Sequence, residues 1–348
     1  MMKRRRVLVA MSGGVDSSTT AALLLRQGLD VEGVTLKLTS GFCCDIGAAQ
    51  DVCKYLSIPH RILDMREDFS KSIIGNFIDE YEHGRTPNPC IRCNEIVKFG
   101  ILMHFSRVNN FDCIATGHYA RIEHNALSSR LFLKKGIDST KDQSYFLYRL
   151  TQDQMQHILF PLGVLTKPEV RTLAKEIGLS VAERSESQEI CFVPNNDYRS
   201  FLKEYAPEAL QPGEMVLTDG TVVGKHEGIA FFTVGQRRRL GYAAGERIYV
   251  VRIDRQTHRI VLGKASELST REFVVSDTHF IPFHELRTKI DVTVKIRYRS
   301  RSIHATIKPL NPDRVRVELE QAASGVCPGQ HAVFYDGDTV VGGGIIEL

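Results

Sequence analysis

A glycine turn set between an apolar run and a helical pattern constrains this chain more than any other feature. Val7 to Met11 is a short apolar run of the kind that forms a buried strand. Ser12-Gly13-Gly14-Val15-Asp16-Ser17-Ser18 follows as a loop, and Ser17 to Gln27 reads as a helix carrying Ala21, Leu23 and Leu24. Gly28 stands where a helix C-terminal cap belongs. The alternation continues. Val31 to Leu38, His60 to Met65 and Phe111 to Thr116 read as strands. Asp45 to Leu56, Asp68 to His83, Glu95 to Val108 and Lys167 to Ile177 read as helices. This order implies an α/β fold, with a doubly wound parallel sheet covered by helices.

The pattern changes after Pro194, where Asn, Pro and charged residues cluster around one short helix from Tyr198 to Tyr205. Short β segments punctuated by glycine follow and predict a small central β-rich domain. Beyond Arg287 the alternation has period two. Ile290, Val292, Val294, Ile296 and Tyr298 share one face, and Ile303, Ala305, Ile307 and Val315, Val317, Leu319 repeat it. Asp336-Gly337 is a hairpin signal between two such runs. An antiparallel β-barrel is the natural closure. The expected domains are 1–197, 198–268 and 269–348. In 348 residues no run of about 18 apolar residues exists, so a membrane span is not expected. The basic start before Val7 has too short an apolar core for a signal peptide. A cytoplasmic, monomeric protein is expected, in which the eight cysteines serve as thiols or ligands.

The glycine loop suits an anion. Its glycines admit close backbone approach, Ser12, Ser17 and Ser18 offer hydroxyls, and the helix start adds partial positive charge. It lacks the lysine of a Walker A loop, which argues against a P-loop kinase or GTPase. Thr86-Pro87-Asn88-Pro89-Cys90-Ile91-Arg92-Cys93-Asn94 is the second constellation, a C-x-x-C set just before the helix near Glu95. A helix N-terminus and Arg92 are expected to lower a thiol pKa there. Half of a zinc site, completed by Cys43-Cys44, is the competing reading. Cys191, in Ser187-Gln188-Glu189-Ile190-Cys191-Phe192, alone reads as a buried strand cysteine. From Arg287 to Arg316 nine Lys or Arg face only Asp291 and Asp313, in a chain whose formal net charge is +4. Strand alternation would align them on one face, with a nucleic-acid backbone as the expected anion.

SGGVDS resembles the pyrophosphate loop of the N-type ATP pyrophosphatases. Several longer motifs together resemble one family, the tRNA-specific 2-thiouridylases: Gly84-Arg85-Thr86-Pro87-Asn88-Pro89, Ala115-Thr116-Gly117-His118-Tyr119, Lys141-Asp142-Gln143-Ser144-Tyr145, Arg297-Tyr298-Arg299 and Pro328-Gly329-Gln330. The resemblance implies ATP-dependent formation of 2-thiouridine at the wobble position of the tRNAs for Lys, Glu and Gln. Mg²⁺ would accompany ATP, and sulfur would come from a cysteine desulfurase or a relay protein. It implies ATP contacts from Ala10, Met11, Ser12, Gly13, Gly14, Val15, Asp16 and Ser17, with Leu36 and Gly117. Cys191 would carry a persulfide and Cys93 would be the second catalytic cysteine, the two ending as a disulfide. Asn88, Pro89, Cys90, His118, Asp142, Gln143, Ser144, Arg297, Tyr298 and Gln330 match positions that contact tRNA or its target base. Cys90 departs from the Asp common there, so a [4Fe–4S] cluster on Cys90, Cys93 and Cys191 stands as an alternative. A different enzyme of the superfamily and a non-catalytic RNA-binding protein with structural zinc are the remaining readings. Cys43, Cys44, Cys53, Cys113 and Cys327 are read as structural or incidental.

Overall fold

The computed structural model describes residues 4–41, 44–125, 128–184, 190–242 and 245–347. Lys3, Cys43 and Ser187 to Glu189 lie outside the described residues. Two compact units emerge. The first is built mainly from the chain up to Phe192, and the second mainly from Val193 onward. Ile74–Pro89 belongs to the second unit, and Asp338–Val340 to the first.

The first unit holds a parallel sheet. Strands β1 (Arg6–Ala10), β2 (Asp30–Lys37), β3 (His60–Asp64) and β4 (Cys113–Ala115) are joined at one edge by the short β7 (Ile158–Leu159), in the order β3-β2-β1-β4-β7. Val7, Leu8 and Val9 are fully buried, as a central parallel strand covered on both faces requires. Helices α1 (Val15–Arg26) and α2 (Ile46–Tyr55) contribute Ala21, Leu24, Ala49 and Val52 to the core. Val170 and Ala174 of the helix Lys167–Ile177 join them. Chain order reverses between β1 and β4, so a crevice opens at their carboxyl ends, where doubly wound folds bind ligands. A hairpin of β5 (Ala120–Asn125) and β6 (Arg130–Lys135) follows β4.

In the second unit, β8 (Gly213–Leu217), β9 (Val222–His226), β10 (Tyr249–Asp254) and β11 (Arg259–Gly263) form a four-stranded sheet, β10-β11-β8-β9. Six antiparallel strands then close a barrel: β12 (Ser269–Phe280), β13 (Ile290–Lys295), β14 (Ile303–Asn311), β15 (Arg314–Ser324), β16 (His331–Asp336) and β17 (Thr339–Glu347). Pairing of β12 with both β15 and β17 completes it. Val292, Val294, Ala305, Ile307, Val315 and Val317 fill its core, the face that period-two reading selects.

Two expectations are corrected. The alternation through Tyr298 ends as strand at Lys295. The Ser300 hydroxyl accepts from the Arg297 N–H at 3.3 Å and the Ser300 N–H donates to the Arg297 carbonyl at 3.0 Å, so Arg297-Tyr298-Arg299 is a turn. The helix expected near Glu95 begins at Pro89, because proline suits the first helical position. It runs as Pro89–Arg92, a π-helical stretch Cys93–Ile101, and Leu102–Val108. Cys90 and Cys93 therefore lie in its first turns, three residues apart and on one face, not in a preceding loop.

Candidate active site

The glycine loop joins β1 to α1. Gly13 has φ +78°, and a Cβ there would collide with the Asp45 carbonyl oxygen. The loop is thus packed against the N-terminal end of α2, where Asp45 caps the helix by accepting from the Ala48 N–H at 2.9 Å. Arg184 fixes the same corner, donating to the Gly13 carbonyl at 3.2 Å and to Asp45 at 2.6 Å. Gly117, just past β4, comes so close to Asp16 and Ser17 that a Cβ would lie 2.9 Å from the Asp16 carbonyl carbon. Leu36 is buried in β2.

The three serines differ. Ser12 is exposed, and its hydroxyl lies 3.3 Å from that of Ser17. Ser17 and Ser18 are both buried and both donate back to the Gly14 carbonyl, at 3.1 and 2.9 Å, closing the first turn of the helix. No Walker lysine is present, yet Lys167 brings its ammonium to Asp16 from far along the chain, at 2.7 and 2.8 Å from the two carboxylate oxygens. Tyr119 donates its hydroxyl to Asp16 Oδ1 at 2.8 Å.

The cysteines form the second part of the site, in the same unit. Cys93 is buried, and desolvation pushes its thiol up to about 12. Lys98 opposes this, while the thiols of Cys191, Cys90 and Cys44 reinforce it. Cys90 is open to solvent, yet desolvation by the protein around its thiol, with the Cys191 thiol, pushes it up to about 11. The lowered thiol pKa expected from the helix start and Arg92 is thereby corrected: burial wins, and the favourable cation is Lys98. Cys191 is exposed in a turn and not a buried strand residue. Its neighbour Phe192 is the buried anchor, edge-on to Phe69 at 5.7 Å. Cys44, read as incidental, is a neighbour of Cys93, a relation between distant segments that no local pattern reveals.

Among the described residues no group of three or more His, Cys, Asp or Glu is arranged to hold a metal ion. The thiols of Cys90, Cys93 and Cys191 are thus not gathered around a single ion here, and the zinc reading involves Cys43, which lies outside the described residues. Cys53 packs in the core under Gly33, with its thiol pushed up to about 11 by burial. Cys113 is buried beside the Arg5 guanidinium at 2.6 Å.

The residues matched to tRNA contacts divide between the units. In the first, His118 is buried and held by Thr116 at 2.7 Å, and burial keeps it neutral by lowering its pKa well below the usual value. Asp142 accepts from the Gly136 and Ser144 N–H groups and from the Ser144 hydroxyl, and both side chains are buried. As placed, these side chains build the loop and do not face solvent. In the second unit, Gln330 donates to the carbonyls of Thr86 at 3.0 Å and Pro87 at 3.2 Å, fixing the chain that leads into Asn88 and Pro89. Arg297 is exposed in its turn. The basic stretch is less cationic than its sequence suggests. Arg287, Lys308, Arg314 and Arg316 are paired with Glu285, Glu318, Glu347 and Glu272.

The fold and site define an α/β unit of the HUP class that carries a group of neighbouring cysteines. Three descriptions match the chain: "tRNA methyl transferase HUP domain" over residues 5–195, "tRNA methyl transferase PRC-barrel domain" over 199–264 and "Aminomethyltransferase beta-barrel domain" over 270–346. The "tRNA-specific 2-thiouridylase MnmA" of Acetivibrio thermocellus is 46% identical over 99% of this chain and 100% of its own length. "tRNA-specific 2-thiouridylase MnmA 1" of Caldanaerobacter subterraneus is 46% identical over 100% of this chain and 99% of its own. A 4-thiouridine synthetase–RNA complex with bound ATP matches at 18% identity and TM-score 0.38, covering 59% of this chain and 51% of that one. The chain belongs to the tRNA-specific 2-thiouridylase family, a class of sulfurtransferases.

Proposed function

We propose that this protein converts the wobble uridine of the tRNAs for Lys, Glu and Gln to 2-thiouridine. The uridine C2 oxygen is a poor leaving group. ATP adenylates it, and pyrophosphate leaves into the loop from Ala10 to Ser17, beside Leu36 and Gly117. Mg²⁺ bound with the nucleotide would supply charge to neutralise its phosphates, and Asp16, already held by Lys167 and Tyr119, is the acidic residue of the loop that would face it. Cys191 holds the incoming sulfur as a persulfide, loaded by a desulfurase or relay protein. The terminal sulfur attacks C2 and AMP departs. Cys93 then attacks the Cys191 sulfur, leaving sulfur on the base and a Cys93–Cys191 disulfide, which an external thiol reduces. The target base must leave its stack to reach these groups. Asn88, Pro89, Cys90, His118, Asp142, Gln143, Ser144, Arg297, Tyr298 and Gln330 shape the tRNA surface. Residues 1–197 carry the chemistry, 198–268 connect, and the barrel of 269–348 meets the tRNA backbone. A cytoplasmic monomer is the working form; among the described residues no helix is long and apolar enough to cross a membrane.

One observation supports this reading best. Cys191 and Cys93 are electrostatic neighbours in the unit that also holds the glycine loop. A buried thiol beside an exposed one suits a resolving and a loading cysteine. Cys93→Ala and Cys191→Ala, tested with tRNA, ATP and a persulfide donor, should each abolish 2-thiouridine. Full turnover by Cys93→Ala refutes the two-cysteine scheme.

A further inference from the structure

Lys167 is one of the few buried charged side chains of the chain, and the chemistry above does not use it. Its ammonium meets both oxygens of Asp16 and lies 5.7 Å from the centre of the Tyr119 ring. Tyr119 reaches the same carboxylate through its hydroxyl. Asp16 thus receives three charge-assisted hydrogen bonds from two residues that are distant from it in sequence. Both residues are fixed by one loop. The Lys167 N–H donates to Asp138 Oδ2 at 2.9 Å, and the Tyr119 N–H donates to Gln143 Oε1 at 3.0 Å. The Gln143 N–H returns a bond to the Tyr119 carbonyl at 2.9 Å. Asp142 clasps Gly136 to Ser144 within that loop. Gly136 is pressed on the other side, where a Cβ would lie 2.8 Å from the Tyr119 carbonyl oxygen.

We propose that Lys167 and Tyr119 are positioning residues that hold the Asp16 carboxylate in place at the phosphate loop, and that the 136–144 loop which clasps both ties nucleotide binding to tRNA binding. The proposal rests on the tRNA-thiolation reading only in its second half. A carboxylate beside a polyphosphate repels it unless it is neutralised or turned to a cation. Lys167 supplies the neutralising charge that a Walker lysine would supply elsewhere, but acts on the loop's own acid. Gln143 grips the Tyr119 backbone at both its N–H and its carbonyl, so a tRNA contact made at this loop acts on a residue that holds Asp16. By linkage, tRNA should then tighten ATP binding, and ATP should tighten tRNA binding by the same factor.

The full chain is tested by direct ATP titration, with and without an unmodified tRNA transcript, alongside thermal melting. Tyr119→Phe, which removes one hydroxyl, should weaken ATP binding by about tenfold, the loss expected for one charge-assisted bond. Its melting midpoint should stay near that of the unsubstituted chain, and the tRNA-induced gain in ATP affinity should shrink. Lys167→Met should weaken ATP binding further and Lys167→Arg should restore part of it. Because the three act as a unit, Lys167→Met combined with Asp16→Asn should be no worse than Asp16→Asn alone. Multiplying losses in that double variant, or unchanged ATP affinity in Tyr119→Phe, would overturn the positioning role. An undiminished tRNA effect in Tyr119→Phe would overturn the link. Failure of the thiolation reading has a different signature: ATP binds and responds to the substitutions, but no AMP forms with tRNA present.

Discussion

The raised thiol of Cys93 makes its resting reactivity calculable. Burial sets it at about 12 against 9.0 for an unperturbed cysteine. At pH 8 an unperturbed thiol is about one-tenth thiolate, and Cys93 about one part in ten thousand, a thousandfold deficit. A more basic thiolate is also the better nucleophile, with a Brønsted slope of about 0.4–0.5, which returns roughly 20- to 30-fold over the three-unit difference. Cys93 should therefore alkylate about 30- to 50-fold more slowly than a cysteine peptide at pH 8, and its rate should climb tenfold per pH unit to pH 10 without a plateau. Iodoacetamide labelling followed by tryptic mass spectrometry reads this directly. Cleavage after Arg92 and Lys98 places Cys93 on a peptide separate from Cys90. A plateau below pH 9, or alkylation as fast as the free peptide, would refute burial as the controlling factor.

Other outcomes follow from the same geometry. The Cys93 thiol stays protonated in the fold while the unfolded chain ionises above pH 9. Its contribution to stability is therefore complete below pH 9 and is lost as pH rises towards 12, by about 1.4 kcal/mol per unit. Urea titrations should show a shallower alkaline decline in Cys93→Ala, and identical curves would contradict the shift. Gly13→Ala places a Cβ against the Asp45 carbonyl at a left-handed φ, so ATP affinity should fall at least about tenfold, with a strain of ~1–3 kcal/mol visible in melting. Wild-type ATP binding in that variant would show that the loop is not packed as described. Affinity for tRNA should fall steeply with salt, and Arg297→Ala should reduce that slope by about one. A flat response would remove the barrel from the tRNA surface.

Much of this architecture was legible in the residues. The alternation of apolar runs and helical stripes from Val7 to Thr116 reports a parallel sheet because its central strands β1, β2 and β4 are buried on both faces, while the edge strand β3 is largely exposed. Period-two spacing reports the barrel because β13, β14 and β15 are each buried mainly on one face, whereas β16 and most of β17 are buried throughout. The glycine loop is readable because φ +78° at Gly13 and the close approach at Gly117 both demand glycine. Other features depend on tertiary contacts. Pro89 opens a helix that a Pro-Asn-Pro reading ends as a loop, since proline breaks helices inside but starts them well. Lys167 reads only as the start of a helix, and the fold alone brings it to Asp16. The hairpin of β5 and β6 carries a usable signal in Ile122, Leu131 and Leu133, each followed or preceded by charge. Thiol pKa was misjudged because local cations are visible in sequence and burial is not.

The central claim is that one chain couples ATP cleavage to sulfur transfer onto tRNA. An unmodified tRNA transcript for Lys, Glu or Gln is incubated with the protein, ATP, Mg²⁺ and a persulfide donor. The tRNA is then digested to nucleosides for mass spectrometry, with AMP measured in the same sample. The account predicts 2-thiouridine and AMP in equal amounts, both absent without tRNA. AMP without thiolated uridine, or unmodified uridine with intact ATP, would contradict it.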